Sequence, residues 1–385
     1  MSSPESPRVL HVLGSLNRGG VETWLLHLLR NAPPGLWRPE FLLHRTTTGA
    51  YDAEMRRLGA VLHYCPRPHR LVHYNRELRQ LLRRHGPFDV VHSHVHLFSG
   101  VVLRAAHEEG VPVRIAQSHS AVAQTTVNRR VYATVMRKLI RRHATHGLAA
   151  APPAAAVLFG RDWETLGRVR LHRYGLDYSA FGDLPDRAVL KRRIGVPEQC
   201  TVIGHVGRFY PVKNHAFMVA TFAELIRGGM NAHLLLVGSG PLEQKIREQA
   251  AALGITSRCT FAGAHNDVTP FFGAMDLFLF PSIHEGLGLV ALEAQAAALP
   301  VLASTGVPAD TAVIAELFHR RPLQDGAAAW AQAIRDILVS TPPLARPTTA
   351  AMLNDSCYSV RASLHELASI YHSAPQAAAR LEAVP

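Results

Sequence analysis

Short apolar runs alternate with helical patterns along nearly the whole chain, and this rhythm most constrains what it can fold into. Parallel strands are buried on both faces and read as near-continuous apolar runs, each separated from the next by a crossover, usually a helix. VLHVLG (9–14) passes through the turn NRGG (17–20) into VETWLLHLLR. FLLH, VLHY, DVVHSH (89–94), VRIAQSH (113–119) and HGLAAA (146–151) follow, with helical stretches between them. After a linker near 175–198 a second series begins: TVIGHVG (201–207), HLLLVG (233–238), CTFAG (259–263), DLFLFPS (276–282) and PVLAS (300–304). Two such series imply two doubly wound α/β domains facing one cleft, with ligands at the carboxyl ends of the strands. The Pro/Thr-rich stretch STPPLARPTTAA (340–351) reads as a connection before a closing helix from about Asp355 to His372.

The 385 residues fit two or three domains, and 48% hydrophobic against 18% charged residues excludes wholesale disorder. No apolar run reaches the roughly 18 residues that span a bilayer, and the longest, around Phe271–Phe280, is broken by Asp276. MSSPESPR lacks the apolar core of a secretory signal. The four cysteines, Cys65, Cys200, Cys259 and Cys357, lie far apart with no CxxC, which excludes a disulfide scaffold and a zinc ribbon. These features lead to the expectation of a cytoplasmic, bacterial-type protein.

The charge is unevenly spread. Residues 1–175 hold 25 of the 41 Lys+Arg and 11 of the 29 Asp+Glu, a net +14, which leaves −2 for the remainder. Only four of the 41 are lysine, so with abundant alanine the arginines reflect base composition as well as function. A basic half suits an anionic partner: nucleic acid, a membrane surface or a phosphorylated substrate.

Chemistry concentrates in PSIHEGLGLVALEAQAAALPVLAS (281–304). Glu285 stands at a strand's carboxyl end, followed by a glycine-rich turn and a helix carrying Glu293 eight positions later. Gly286 and Gly288 let backbone N–H groups approach an anion, and the helix N-terminus adds partial positive charge. A helix start with a dipole-favoured glutamate explains the same pattern without a ligand. In GHVGRFYPVKNH (204–215), Arg208 and Lys213 stand five residues apart beside a βα crevice, suited to a diphosphate but also common on surfaces. Gly19-Gly20 before a helix lacks the full GxGxxG of a dinucleotide site.

Taken together, EGLGLVALE with its E-x7-E spacing, GRFYPVK, LLLVGSGPL and the N-terminal RGGVE resemble retaining glycosyltransferase family 4, of the GT-B fold. DVVHSHVHLFSG, RIAQSHS, YATHGLAA and AMDLFLFPSIHEGLGLVALEAQAAALP resemble its capsular and exopolysaccharide branch. The resemblance runs from about Arg8 to His372. It implies two Rossmann-like domains: an acceptor domain over 1–180 completed by a closing helix at 355–375, and a nucleotide-sugar domain over 190–350. It implies sugar transfer from a nucleotide-sugar donor, a UDP-sugar above all, with retention of configuration and no cofactor or bound metal. By the same resemblance Arg208 and Lys213 hold the donor diphosphate, Glu293 the ribose hydroxyls and Glu285 the hydroxyls of the transferred sugar. The turns at Gly19-Gly20 and Gly286-Leu287-Gly288-Leu289 cradle the donor, and His119 faces the reacting sugar from the N-terminal domain. The chain departs from the pattern at Leu287 (usually Phe), Ala298 (usually Gly) and Tyr174 (often Asn), none of which removes a charge.

Two further features stay open. His92, His94 and His96 alternate at a strand end and are expected to share one face; HxHxH invites a metal-site reading, but the HxHxDH spacing fails and no partnering cluster is evident. RRVYATVMRKLIRRH (129–143) reads as a helix with Val131, Val135, Leu139 and Ile140 on its apolar side and Arg130, Arg137, Lys138 and Arg141 mostly opposite, a solvated basic face or a peripheral contact with anionic lipid. The acceptor is a sugar, a lipid-linked sugar or a small molecule. A sugar-nucleotide epimerase would need no acceptor, and a nucleic-acid binder lacks any recognised motif here.

Overall fold

The computed structural model describes residues 6–65, 71–119 and 127–373. Ser120, the first five residues and positions 374–375 of the closing segment lie outside them. The chain divides into two compact units: one ends its first stretch at Leu176 and resumes at Val360, and the other is Asp177–Ser359. The Val360 N–H bonds the Leu176 carbonyl at 2.8 Å, so the two crossing points are tied to each other.

The first unit is built on a seven-stranded sheet of β1 (Arg8–Leu13), β2 (Arg38–Leu43), β3 (Val61–Tyr64), β4 (Val90–Ser93), β5 (Val113–Ser118), β6 (His146–Ala149) and β7 (Val169–Leu171). The second carries a six-stranded sheet of β8 (Thr201–Val206), β9 (Ala232–Val237), β10 (Cys259–Gly263), β11 (Leu277–Phe280), β12 (Val301–Ser304) and β13 (Phe318–Arg321). Every pairing is parallel, in the orders β3-β2-β1-β4-β5-β6-β7 and β10-β9-β8-β11-β12-β13. The winding direction reverses between β1 and β4 in one sheet and between β8 and β11 in the other. In doubly wound sheets a ligand crevice opens at such a reversal, outside the carboxyl ends of the strands.

Strands absent from the sequence reading are β7 and β13, both at sheet edges. An edge strand is partly solvated, and VRL and FHRR lack the apolar run of a central strand. The stretch read as a connection holds a helix, Arg346–Asn354, with Pro347 in its first turn, where a missing N–H costs nothing. The closing helix spans Val360–Tyr371 and completes the first unit: Trp24 Nε1 donates to Ser363 Oγ at 3.0 Å, His172 meets Glu366 at 2.6 Å, and His92 meets the Tyr371 hydroxyl at 2.8 Å. At the amino-terminal ends of the two central strands of the second sheet, Asp276 accepts from Arg187, Lys191 and the Val202 N–H, clamping the start of β11 to the start of β8.

The basic helix spans Val127–His143, but its buried side is Ala133, Met136 and Ile140, while Val131 is 60% and Val135 50% exposed. Arg137 and Arg141 are not free on a polar face either. Each donates to a carbonyl at the end of the neighbouring helix, Val157 and Phe159, and Arg141 also pairs with Asp162. The exposed surface of this helix instead includes Arg129, Arg130, Val131, Thr134, Val135, Lys138 and Arg142.

Candidate active site

At the reversal of the second sheet, four loops meet backbone to backbone. After β8 the chain turns at Gly207, and a Cβ on Gly238 would collide with the Gly207 carbonyl oxygen. A Cβ on Gly240 would come within 2.7–3.0 Å of the Phe209 backbone, and Phe209 N–H bonds the Ser239 carbonyl at 3.0 Å. The GSG of LLLVGSGPL is therefore a packing requirement that fixes the loop carrying Arg208 and Lys213. The loop after β11 is joined to the same loop by Ile283 N–H to the Val212 carbonyl (2.8 Å) and by Asn214 Nδ2 to the Pro281 carbonyl (3.2 Å). Glu285 N–H bonds the Gly306 carbonyl at 3.1 Å, and Ser304 Oγ donates to the Ser282 carbonyl.

This frame places Lys213 Nζ 2.7 Å from Glu285 Oε1 across 72 residues of sequence, with the ammonium 5.2 Å from the centre of the Phe280 ring. Arg208 is exposed, lies 5.0 Å over the Tyr210 ring and has no carboxylate partner among the described residues. One cation is held in reserve by a carboxylate and the other is open to an anion. Gly288, at φ +83°, caps helix Leu289–Ala296 in a conformation that favours glycine. Leu287 is buried beneath the turn, and Gly286 and Leu289 flank it.

Glu293 sits on the same helix and is half-buried. Burial, reinforced by Asp267, pushes this carboxyl up to about 8. The Glu293 carboxylate in turn adds to the burial that raises the Tyr178 phenol, whose hydroxyl has no partner among the described residues.

In the first unit, Gly19 and Gly20 open helix Gly20–Asn31 after β1. Gly19 is extended, and a Cβ there would collide with the Glu22 carboxylate. His119 directly follows β5 and is half-buried, and the loss of solvent around its ring pushes the imidazole down to about 3. Both its ring nitrogens are engaged, Nε2 with His94 Nδ1 at 3.1 Å and Nδ1 with the Tyr174 hydroxyl.

Comparisons with known proteins show the family to which the chain belongs. A family model described as glycosyl transferases group 1 matches residues 200–340. The putative glycosyltransferase EpsF of Bacillus subtilis (strain 168) is 35% identical over 334 residues, covering 85% of this chain and 86% of its own. The chain belongs to the group 1 glycosyltransferases. The 2-deoxystreptamine glucosyltransferase of Streptomyces kanamyceticus is 33% identical over 245 residues, 58% of this chain and 61% of its own. The fold is that of Anabaena HepE, crystallised in complex with UDP-glucose, at a TM-score of 0.78, 17% identity, and coverage of 95% of this chain and 100% of that one.

Within this group 1 glycosyltransferase, Arg208, Lys213, Glu285 and the 286–289 turn come together at one sheet reversal, and Glu293 lies on the helix that leaves that turn. Gly19, Gly20 and His119 lie in the other unit. The sequence reading overlooked His205 and His215, beside Lys213. His215 stacks on Phe209 with ring centres 4.0 Å apart, and neither of its nitrogens has a partner among the described residues. His205 bonds the Leu279 carbonyl, and its Nε2 occupies the space a Cβ on Gly207 would need. The signal was present as GHV and KNH, but neither motif says that the two rings meet.

The HxHxH reading also changes. β4 ends at Ser93, and His96 begins a 3-10 turn at φ +52°, so it does not continue the face of His92 and His94. The partner that was not evident is His11, in register with His92 across β1 and β4, with Nδ1 3.1 Å from His94 Nε2.

Proposed function

We propose that this glycosyltransferase moves a sugar from a nucleotide-sugar donor, a UDP-sugar in the first instance, to an acceptor hydroxyl with retention of configuration and without a bound metal. The observation that carries this reading is the Lys213–Glu285 pair beside the open Arg208 at the second sheet's reversal. As the sugar–oxygen bond to the β-phosphate breaks, negative charge builds on the departing diphosphate. Fixed cations and backbone N–H groups bind that charge more strongly than they bind the intact donor, which is what lowers the barrier. Lys213 exchanges its carboxylate for a phosphate oxygen, and the freed Glu285 accepts hydroxyls of the transferred sugar. Glu293 binds the ribose, since each carboxylate oxygen can accept one O–H. His119 we assign to the transferred sugar.

We assign it to exopolysaccharide or other glycoconjugate synthesis in the cytoplasm, on the resemblance of its motifs to the exopolysaccharide branch and its similarity to a putative glycosyltransferase. Similarity to the deoxystreptamine glucosyltransferase supports a small-molecule acceptor as the second reading. No helix among the described residues is long and apolar enough to cross a membrane. We assign the exposed face with Arg130, Lys138 and Arg142 to peripheral contact with anionic lipid. The decisive experiment incubates purified protein with a panel of nucleotide sugars, scores donor hydrolysis and thermal shift, and assigns the anomer of any product by NMR. Donor consumption without acceptor, giving an isomeric nucleotide sugar, would make the protein an epimerase. An inverted product would refute retention.

A further inference from the structure

The first unit contains a row of imidazoles of which the donor chemistry uses only His119. β1, β4 and β5 are neighbours in the sheet, which brings His11 within β1, His94 just after β4 and His119 just after β5 into line. His11 Nδ1 lies 3.1 Å from His94 Nε2, His94 Nδ1 lies 3.1 Å from His119 Nε2, and His119 Nδ1 meets the Tyr174 hydroxyl. The other neighbour of that hydroxyl is the Ser118 carbonyl oxygen at 3.4 Å. The Tyr174 ring is itself held by stacking on Trp24, with centres 4.8 Å apart.

A carbonyl oxygen can only accept, so the Tyr174 hydroxyl donates to Ser118 and accepts the N–H of His119 Nδ1. A neutral imidazole has one donor and one acceptor, so the choice made at Tyr174 propagates. His119 Nε2 accepts from His94 Nδ1–H, and His94 Nε2 accepts from His11 Nδ1–H. The chain ends on the lone pair of His11 Nε2, which has no partner among the described residues. The opposite polarity would end on a buried N–H with no acceptor, which proteins rarely tolerate. Burial keeps all three rings neutral, pushing His11 and His119 down to about 3 and His94 well below the usual range.

Two of these rings, with His92, do not form a good metal pocket. His11, His92 and His94 can each offer a nitrogen within 4.8 Å of the others, whereas tetrahedral zinc with bonds near 2.1 Å needs separations of about 3.4 Å. Both nitrogens of His94 are, besides, already engaged.

We propose that His94 and Tyr174 are positioning residues that lock His119 as its Nδ1–H tautomer with both ring nitrogens occupied, so that it orients the transferred sugar through its ring and takes no part in proton transfer. The proposal rests on the assignment of His119 to the transferred sugar. It gives the tyrosine at 174 a role, since the phenol sets the direction of the whole chain.

The test combines ¹H–¹⁵N correlation spectra of the histidine rings with kinetics of Tyr174→Phe, His94→Ala, His94→Asn and His119→Ala in the full chain. The wild-type spectrum should show His119 and His94 protonated at Nδ1 alone, and Tyr174→Phe should mix the His119 tautomers. Turnover should fall about tenfold or more in Tyr174→Phe and His94→Ala, with donor KM little changed, because a misplaced positioning group costs rate before affinity. His94→Asn, whose amide nitrogen stands near the lost Nδ1, should recover part of the loss. Unchanged turnover in Tyr174→Phe and His94→Ala alongside a large loss in His119→Ala would overturn the positioning role alone. Wild-type turnover in His119→Ala would instead remove His119 from the sugar. One equivalent of zinc co-purifying with the wild type and lost in His11→Ala would overturn the chain in favour of a metal site.

Discussion

Nucleotide binding should release a proton, because of where Glu293 sits. Burial holds its carboxyl near 8 in the unliganded protein, so about nine-tenths of molecules carry it protonated at pH 7. A carboxylate that accepts both ribose hydroxyls must be ionised. Ionising this group at pH 7 costs about 1.4 kcal/mol, one unit between pH and pKa. The apparent dissociation constant for a nucleoside diphosphate should therefore fall about tenfold from pH 7 to pH 9 and level off above. That window lies above the second ionisation of a phosphate, near 6, so the ligand's own charge is constant across it. Calorimetry at pH 7 in buffers of different ionisation enthalpy should count about 0.9 proton released per nucleotide. Glu293→Gln should abolish both the release and the slope. The stability effect has the opposite sign. A carboxyl raised above its unfolded value of 4.5 favours the native state fully below pH 4.5, and this contribution is lost as pH rises toward 8. Glu293→Gln should accordingly gain stability relative to wild type by a few kcal/mol between pH 4.5 and pH 8 in urea titrations without ligand. No proton release in the wild type, or the same pH slope in the glutamine variant, would refute the reasoning.

Lys213→Ala and Arg208→Ala should each keep the fold, read by circular dichroism, and lose turnover about 100-fold or more, corresponding to roughly 3 kcal/mol of transition-state stabilisation. Near-wild-type turnover in either would remove that residue from the diphosphate. Added EDTA should leave transfer intact; abolition by chelator with rescue by Mn²⁺ would contradict a metal-free reaction. In flotation assays at low salt, vesicles with anionic lipid should recover more protein than neutral ones. Gln at Arg130, Lys138 and Arg142 should weaken that binding by about 1 kcal/mol per charge, whereas Gln at the internally bonded Arg137 should not. Equal recovery with both lipids would defeat membrane contact.

The central strands were legible because a strand covered on both faces must be apolar throughout, as in TVIGHV and LFLF. β7 and β13 were not, since an edge strand escapes that demand. Helix Arg346–Asn354 hid behind its prolines, which mark a first turn as readily as a linker. On the basic helix, Val131 and Val135 drew the apolar stripe to the wrong side, because periodicity assigns a face only when apolar residues occupy one. At the donor site the glycines and charges were readable from spacing. The Lys213–Glu285 pair was not, since it depends on β8 and β11 being neighbours. The same holds for His11, His94 and Tyr174, each brought to His119 by sheet order and not by proximity in sequence.

The return of the chain at Val360 has a consequence for how the protein is made. The second unit is contiguous and complete once Ser359 is added, but the first lacks the helix that supplies Ser363, Glu366 and Tyr371 to Trp24, His172 and His92. A ribosome adding about 5–20 residues per second spends roughly 10–40 s on the intervening stretch. Throughout that interval the nascent first unit, although begun first, lacks the helix that covers those three residues. The half of the enzyme synthesised earliest is thus the last to be finished. Chains released just short of Val360 would carry a finished second unit and an unfinished first one.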